Sequence, residues 1–430
     1  MMKRAASAEM MTIFDTDRQS RAAPARPKAV EADANAAFPN MMNAKTAAAC
    51  LGLPSLQVDL YRGRAAFDAL EVEWNALFAR AGAGRQVFQQ FNWLWHCDQI
   101  YGDGPKAPEI IIVTARRAGQ LVLVWPLQLT CARGLCQLTW LGHPVGQYGD
   151  VLIDDLPDSV AEQALRLTWE TLCNAVHPDL VILRRVRDDT PVSAFLDSVG
   201  AHVIERNEAP AMSTATAGSF AHFCDTHQTR HMRKERRRLM RRFEESGAVR
   251  FERVIEPERK AEVARAAVLL KRDWLRSKHR ASKTLADDRV LAFFERVARD
   301  DARPVGCEVH AVWCGDDLAS AQIAFQCGDR LAVHVIVYNV AYAKAGAGGL
   351  QLAHLMQTAF DRDLAHIDLL APRSDYKMEW ANEVVGVADH VYAPTARGRL
   401  FMNTYLKRVR PVLKSLAPHL PARVRTWASI

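Results

Sequence analysis

No apolar run in this chain reaches the roughly 18–20 residues that a membrane span requires. The longest, around Leu121–Leu129, is strand-sized and contains Pro126. Lys3 and Arg4 near the N-terminus have no apolar stretch behind them, which argues against a secretory leader. Paired-cysteine motifs are missing too. The nine cysteines are odd in number, scattered, and mostly set in apolar stretches, so the expectation is buried free thiols in a reducing cytoplasm. There is no Gly-x-Ser-x-Gly elbow, which sets the hydrolase reading low. His227 and His231 share a helix face, with His222 and Cys224 nearby, but nothing is spaced to complete a tetrahedron; no metal is expected. Acids are absent from residues 391–430, where eight Lys or Arg fall.

What is present is a chain of 430 residues with 49% hydrophobic content, enough for two domains of about 150–200 residues. The net charge of +7 is concentrated in that C-terminal segment and in Arg230–Arg242, so it reports two patches rather than a general affinity for polyanions. Arginines fall on nearly every face of the second patch, without aromatic residues to stack on bases, which argues against nucleic acid as a partner. Residues 1–54, rich in Ala, Met, Arg and Pro, read as a disordered extension.

Order is expected from about Gln57. Apolar spacing predicts helices over Phe67–Phe78 and Phe88–Ile100, and strands follow at Glu109–Arg116, Gln120–Leu129 and Leu135–Leu141. A helix over Ser159–Ala175 and a buried strand at Leu180–Arg184 come next. A similar order recurs after residue 218. Helices cover about Gln228–Gly247, Glu258–Lys278 and Asp287–Asp300, then strands Cys307–Cys314, Leu318–Cys327 and Leu331–Asn339, a helix Leu350–Leu364 and a strand His366–Leu370. The fold class read from this is α/β (α+β), in two tandem domains. Each has a mixed central sheet flanked by helices, over residues 55–210 and 211–396, followed by a basic, partly helical tail at 397–430.

The segment Val337–Trp380 resembles the core of GNAT-type acetyltransferases associated with bacterial cellulose and exopolysaccharide biosynthesis, a family related to Fem-type peptidyltransferases. The residues that carry the resemblance are Tyr338 and Tyr342, the run Gly346-Ala347-Gly348-Gly349-Leu350, Asp368, then Asp375-Tyr376-Lys377 and Trp380. Gln120–Leu129 and Leu138–Asp150 are similar to segments of the family's first domain, and the resemblance spans about residues 56–395. It implies two GNAT-like domains, the first degenerate, and acyl transfer from acetyl-CoA or another acyl-CoA to an amine or hydroxyl of a sugar or polysaccharide precursor. Aminoacyl transfer of the Fem type and a silent binding module are the alternatives.

Acyl-CoA brings a pyrophosphate, and a strand leading through a glycine-rich turn into a helix can hold one. The first N–H groups of a helix lack partners, and its dipole favours an anion. Val337, Tyr338, Lys344, Gly346, Ala347, Gly348, Gly349 and Leu350 are the candidate cofactor-binding residues. Acetyl transfer to an amine also needs a proton acceptor. Asp375, Tyr376 and Lys377 are the candidate catalytic residues, with His334 a weaker candidate that reads more readily as a core histidine. Tyr148, Asp150 and Trp380 are the candidate substrate-binding residues, placed in a cleft between the domains facing a carbohydrate or other small acceptor. The helical stretch Leu400–Leu416 mixes apolar and basic residues, as a segment lying on an inner membrane face would, or one docked on the second domain.

Overall fold

The computed structural model describes residues 55–416, apart from 106, 279, 281 and 301–304. The expectation for residues 1–54 and for the end of the tail therefore lies outside the described residues. The first half runs β1 (Leu56–Arg62), α1 (Glu71–Ala81), α2 (Phe91–Tyr101), β2 (Glu109–Arg117), β3 (Gln120–Ala132), β4 (Leu135–Trp140), β5 (Leu152–Ile153), α3 (Asp158–Val176), β6 (Leu180–Arg187), α4 (Pro191–Ser198) and β7 (His202–Ser213). The second continues with α5 (Phe220–His227), α6 (Arg230–Glu244), β8 (Val249–Val254), α7 (Pro257–Ser277), α8 (Arg289–Arg299), β9 (Val305–Cys314), β10 (Asp317–Cys327), β11 (Arg330–Tyr338), α9 (Ala347–Asp361), β12 (His366–Asp368), α10 (Asp375–Met378) and β13 (Glu383–Tyr392). Helical turns from Ala396 to Leu416 close the described chain.

The recurring order is real: each half is a meander, a helix and one more strand. The two mixed sheets join edge to edge, in the order β1-β2-β3-β4-β6-β13-β7-β12-β11-β10-β9-β8. Pairing is antiparallel except at β4–β6 and β11–β12. Strand β13, late in sequence, sits between β6 and β7 of the first half, and β7 reaches across to β12. The boundary expected at 210/211 thus falls inside β7, the strand at the join.

The core follows the same continuity. Trp93 of α2 meets Phe293 of α8 and Phe325 of β10 edge-on, at 4.9 and 4.5 Å between ring centres. Buried aromatics of this size supply much of the apolar area that stabilises a fold. A separate cluster lies on the opposite face of the first half, where Trp169 and Phe195 pack on Trp125. In the tail, Met402 and Leu406 pack on Leu180, Ile182 and Val391, so this part docks on the first half. Among the described residues no helix is long and apolar enough to cross a membrane.

The cysteine expectation needs a correction. Cys131 and Cys136 stand directly opposite each other across the β3–β4 hairpin and form a disulfide. The spacing alone did not reveal a pairing that depends on hairpin register. Cys97, Cys173, Cys224, Cys307, Cys314 and Cys327 are free thiols.

Candidate active site

Strands β11 and β12 pair for three residues only, Arg330–Ala332 with His366–Asp368, and then part. Strand β12 turns away towards β7, where Leu369 N–H donates to Pro210 O at 3.0 Å. The remainder of β11 therefore has one edge without a strand beside it. On its other side Ile323 pairs with Val335 but Ala324 with Val333, so His334 is the extra residue of a bulge. On the open edge, Lys271 of α7 donates to Ile336 O at 2.8 Å.

Past the end of β11, Asn339 caps a tight turn over Val340–Ala345, its side chain accepting from Ala341 N–H at 3.0 Å. Gly346 then takes φ 71, a conformation that costs an L-residue energy. A Cβ there would also meet Leu239 Cδ1 of α6 at 2.8 Å, so α6 lies directly against this turn. Helix α9 begins at Ala347 with no acid in its first turn. A Cβ on Gly349 would have nothing within 4 Å. In this first turn Ala347 and Gly348 are buried while Gly349 is exposed, so the helix start reaches solvent at Gly349, is electropositive by its dipole, and is flanked by the exposed Lys344, an arrangement a pyrophosphate could use.

Buried polar contacts fix this helix to the sheet. Gln351 Nε2 donates to His310 O at 2.9 Å, and the single hydroxyl proton of Ser320 is shared between Gln351 Oε1 and Val337 O, the latter at 2.7 Å. Just beyond the far end of α9, Arg362 holds Glu308 with both arms, and His310 and Arg253 bond the same carboxylate. Burial alone would raise the Glu308 carboxyl. The hydrogen bonds from His310 and Arg362, and their charges, outweigh it and hold the group well below the usual carboxylate range.

The other predicted site residues are divided between surface and interior. Val337 and Tyr338 are buried at the end of β11 and Leu350 in α9. Asp375 is exposed at the head of the short helix α10, and Tyr376 is half-buried, its hydroxyl pKa raised by burial. Lys377 is wholly buried, and its ammonium donates to Leu370 O at 2.8 Å and Pro372 O at 2.9 Å. Burial pushes its pKa down to about 7, opposed by Asp368 and reinforced by Lys271 and Arg185. Among the described residues its ammonium makes no ion pair. It instead ties down the loop between β12 and α10. Trp380 packs parallel to Phe220 and Phe223, and the Arg236 guanidinium lies 5.4 Å from its ring centre.

Tyr148 and Asp150 need a larger correction. Both are buried, and no open sugar-binding face is formed by them. The Tyr148 hydroxyl donates to Asp368 Oδ1 at 2.8 Å, while Arg187 covers its ring at 5.0 Å. Asp368 Oδ2 accepts from Arg187 at 3.1 Å and Arg330 at 3.2 Å. These groups lock the first half to β12 at the point where β11 and β12 part. Asp150 accepts from Gln86 at 3.0 Å, and burial raises its carboxyl to about 7. His334 is a core residue: its Nε2–H donates to Val145 O at 2.8 Å within a ring of Phe88, Trp93, Phe294 and Phe325. Burial lowers its pKa to about 4.

Lys271 was missed from sequence, although a signal existed. It lies on the buried stripe Ala264, Ala267, Val268, Trp274, Leu275 of α7, where a lysine is out of place unless it has a partner.

The Lys377 arrangement has a measurable consequence. Its folded-state pKa of about 7 lies below the roughly 10.4 of a free lysine. Between those values the unfolded chain holds a proton that the folded chain lacks, so this group makes stability rise with pH across that window. Urea denaturation of wild type and Lys377→Met from pH 7 to 10 should show the slope flattened in the variant. Identical slopes would mean that Lys377 titrates normally.

Residues 230–378 match the family described as Acetyltransferase (GNAT) domain, a match that supports an acyltransferase. Domains of this kind use acyl-CoA. No curated protein matches the chain. Among solved structures, FemX is similar with a TM-score of 0.53 and 10% identity, over 80% of this chain and 99% of that one. A tandem GNAT protein from the clavulanic acid biosynthesis pathway aligns with a TM-score of 0.43 and 11% identity, over 78% and 98%. The FemX likeness bears on the fold alone.

Proposed function

We propose that this protein transfers an acyl group, acetyl in the simplest case, from acyl-CoA to an amine or hydroxyl on a sugar or sugar-nucleotide precursor. The observation that carries the reading is the parting of β11 and β12 beside the open start of α9. The pyrophosphate would sit on the N–H groups of Ala347, Gly348 and Gly349, with Lys344 beside it. The pantetheine arm would lie along the open edge of β11, bringing the thioester towards Lys271 and α10. The acceptor attacks the thioester carbonyl, a C–N or C–O bond forms and the C–S bond breaks. Asp375, exposed at the head of α10, takes the acceptor's proton, and the thiolate leaves to be protonated as free CoA. Tyr376 keeps its proton at neutral pH and serves as a hydrogen-bond donor. Lys377 acts as a positioning residue by fixing the loop that carries both.

A second reading, aminoacyl transfer of the Fem type, draws on the basic helix α6. The test is thermal shift and calorimetry with acetyl-CoA on the full chain. A saturable shift in the micromolar range is expected; at a hundredfold excess over Kd the free energy of stabilisation is about 2.7 kcal/mol. No shift at millimolar acetyl-CoA would remove the acyl-CoA reading.

A further inference from the structure

Helix α6 has two unlike faces. Its inner face lies against the candidate site: Leu239 touches Gly346, Phe243 meets Tyr342 edge-on, and Arg236 covers Trp380. The helix therefore spans the rim from the phosphate turn to the α10 segment. Its outer face presents Arg230, Lys234, Arg237, Arg238, Arg241 and Arg242, all exposed. At ~1.5 Å per residue this stripe is about 18 Å long. Arg238 pairs with Glu235; the other five have no ion-pair partner among the described residues. Arg238, Arg241 and Arg242 line a shallow recess together with Glu245. Like charges one turn apart destabilise a helix, so the fold gains nothing from the arrangement.

We propose that the outer face of α6 docks the acyl acceptor, and that the acceptor carries several phosphate or carboxylate groups. The inference rests on the acyl-transfer reading of the adjoining site. Five of the six cations are arginines, whose planar fork pairs with oxyanions through two hydrogen bonds. A lipid surface would call for apolar side chains beside the cations, and none of the exposed large apolar residues lies on α6. Single-stranded nucleic acid would call for exposed aromatics, and the one aromatic ring of phenylalanine, tyrosine or tryptophan type on α6, Phe243, is buried. The donor's phosphates belong on the inner side, where α9 begins, so the outer stripe serves a different anion.

The experiment uses the full chain and two probes, inorganic tripolyphosphate and a short polygalacturonate, which separate phosphate from carboxylate as the source of charge. The variant Arg237→Gln/Arg241→Gln/Arg242→Gln is compared with a charge-matched control, Arg399→Gln/Lys407→Gln/Arg408→Gln. Wild type and control are expected to bind at least one probe. The α6 variant should bind it at least about tenfold more weakly, with unchanged acetyl-CoA affinity. Four results overturn the proposal: no probe binding by wild type, equal losses in the two variants, loss of acetyl-CoA affinity in the α6 variant, or stronger binding of anionic vesicles or a single-stranded oligonucleotide than of either probe. Failure of wild type to bind acetyl-CoA would instead remove the acyl-transfer reading, and the probe measurements are independent of it.

Discussion

Replacing Gly349 with Asp is expected to leave the protein folded and to reduce acyl-CoA affinity by more than about a hundredfold. Gly349 lies in the first turn of α9, exposed, with nothing within 4 Å of an added Cβ. An acid in the first turn of a helix is favourable by about 0.3–1 kcal/mol, so stability should hold or rise. The same carboxylate would stand where the pyrophosphate is placed. Two unit charges about 4 Å apart at an effective dielectric near 20 repel by roughly 4 kcal/mol, and each 1.4 kcal/mol is about tenfold in affinity. Gly349→Ala is the control. It relieves the helix of a glycine and adds no charge, so it should keep CoA binding. Gly348 is a poorer position because it is buried, and an acid there would mix folding with affinity. Calorimetry with acetyl-CoA on both variants, with melting curves alongside, decides the matter. A folded Gly349→Asp protein with wild-type affinity would move the phosphates elsewhere.

The elements that frame the candidate site are legible in the sequence because their signals are local. The meander strands alternate or run apolar between glycine turns, and Gly346 to Gly349 stand just ahead of a periodic helix. The strands at the join were not visible. Strand β7 carries Arg206, Glu205, Glu208 and Pro210, and β13 carries Gly386 and Asp389, so neither resembles a central strand. Their partners are supplied from far along the chain: Val391 of β13 pairs with Ile182, and Ile367 of β12 with Met212. Lys377 failed for the same reason. Its burial depends on carbonyls of Leu370 and Pro372 presented by a turn that exists only once β12 has bent towards β7. Tyr148 is a substrate-binding candidate in the sequence, where its loop His143–Asp150 is polar and holds or adjoins three glycines. The partner that takes its hydroxyl inward, Asp368, is 220 residues away.

That contact leads to the second large effect: Asp368→Ala should cost roughly 3–5 kcal/mol of stability, the usual consequence of leaving buried charges without their counterpart. Asp368 is 1% exposed and fully engaged. Oδ1 accepts from the Tyr148 hydroxyl at 2.8 Å and from Leu370 N–H at 2.9 Å, and Oδ2 accepts from Arg187 and Arg330. Arg187 retains Asp189 as a second partner, at 2.9 Å. Arg330 is left facing a cavity, and the turn at Leu370, which holds φ 60, loses the bond that caps it. Tyr148→Phe removes one hydrogen bond and leaves the ion pairs, so about 1–2 kcal/mol is expected there. In the double variant the losses should fall short of their sum, because the hydroxyl and the carboxylate are partners. Urea denaturation of the four proteins provides the comparison. Full additivity would mean that the Tyr148–Asp368 bond contributes nothing in solution. A loss under 1 kcal/mol for Asp368→Ala would mean that the shared sheet and aromatic core hold the two halves together without help from this carboxylate. If Tyr148→Phe instead left stability unchanged and raised the KM for an acceptor, the hydroxyl would have to be turned towards substrate, and the buried bond to Asp368 would not be its resting place.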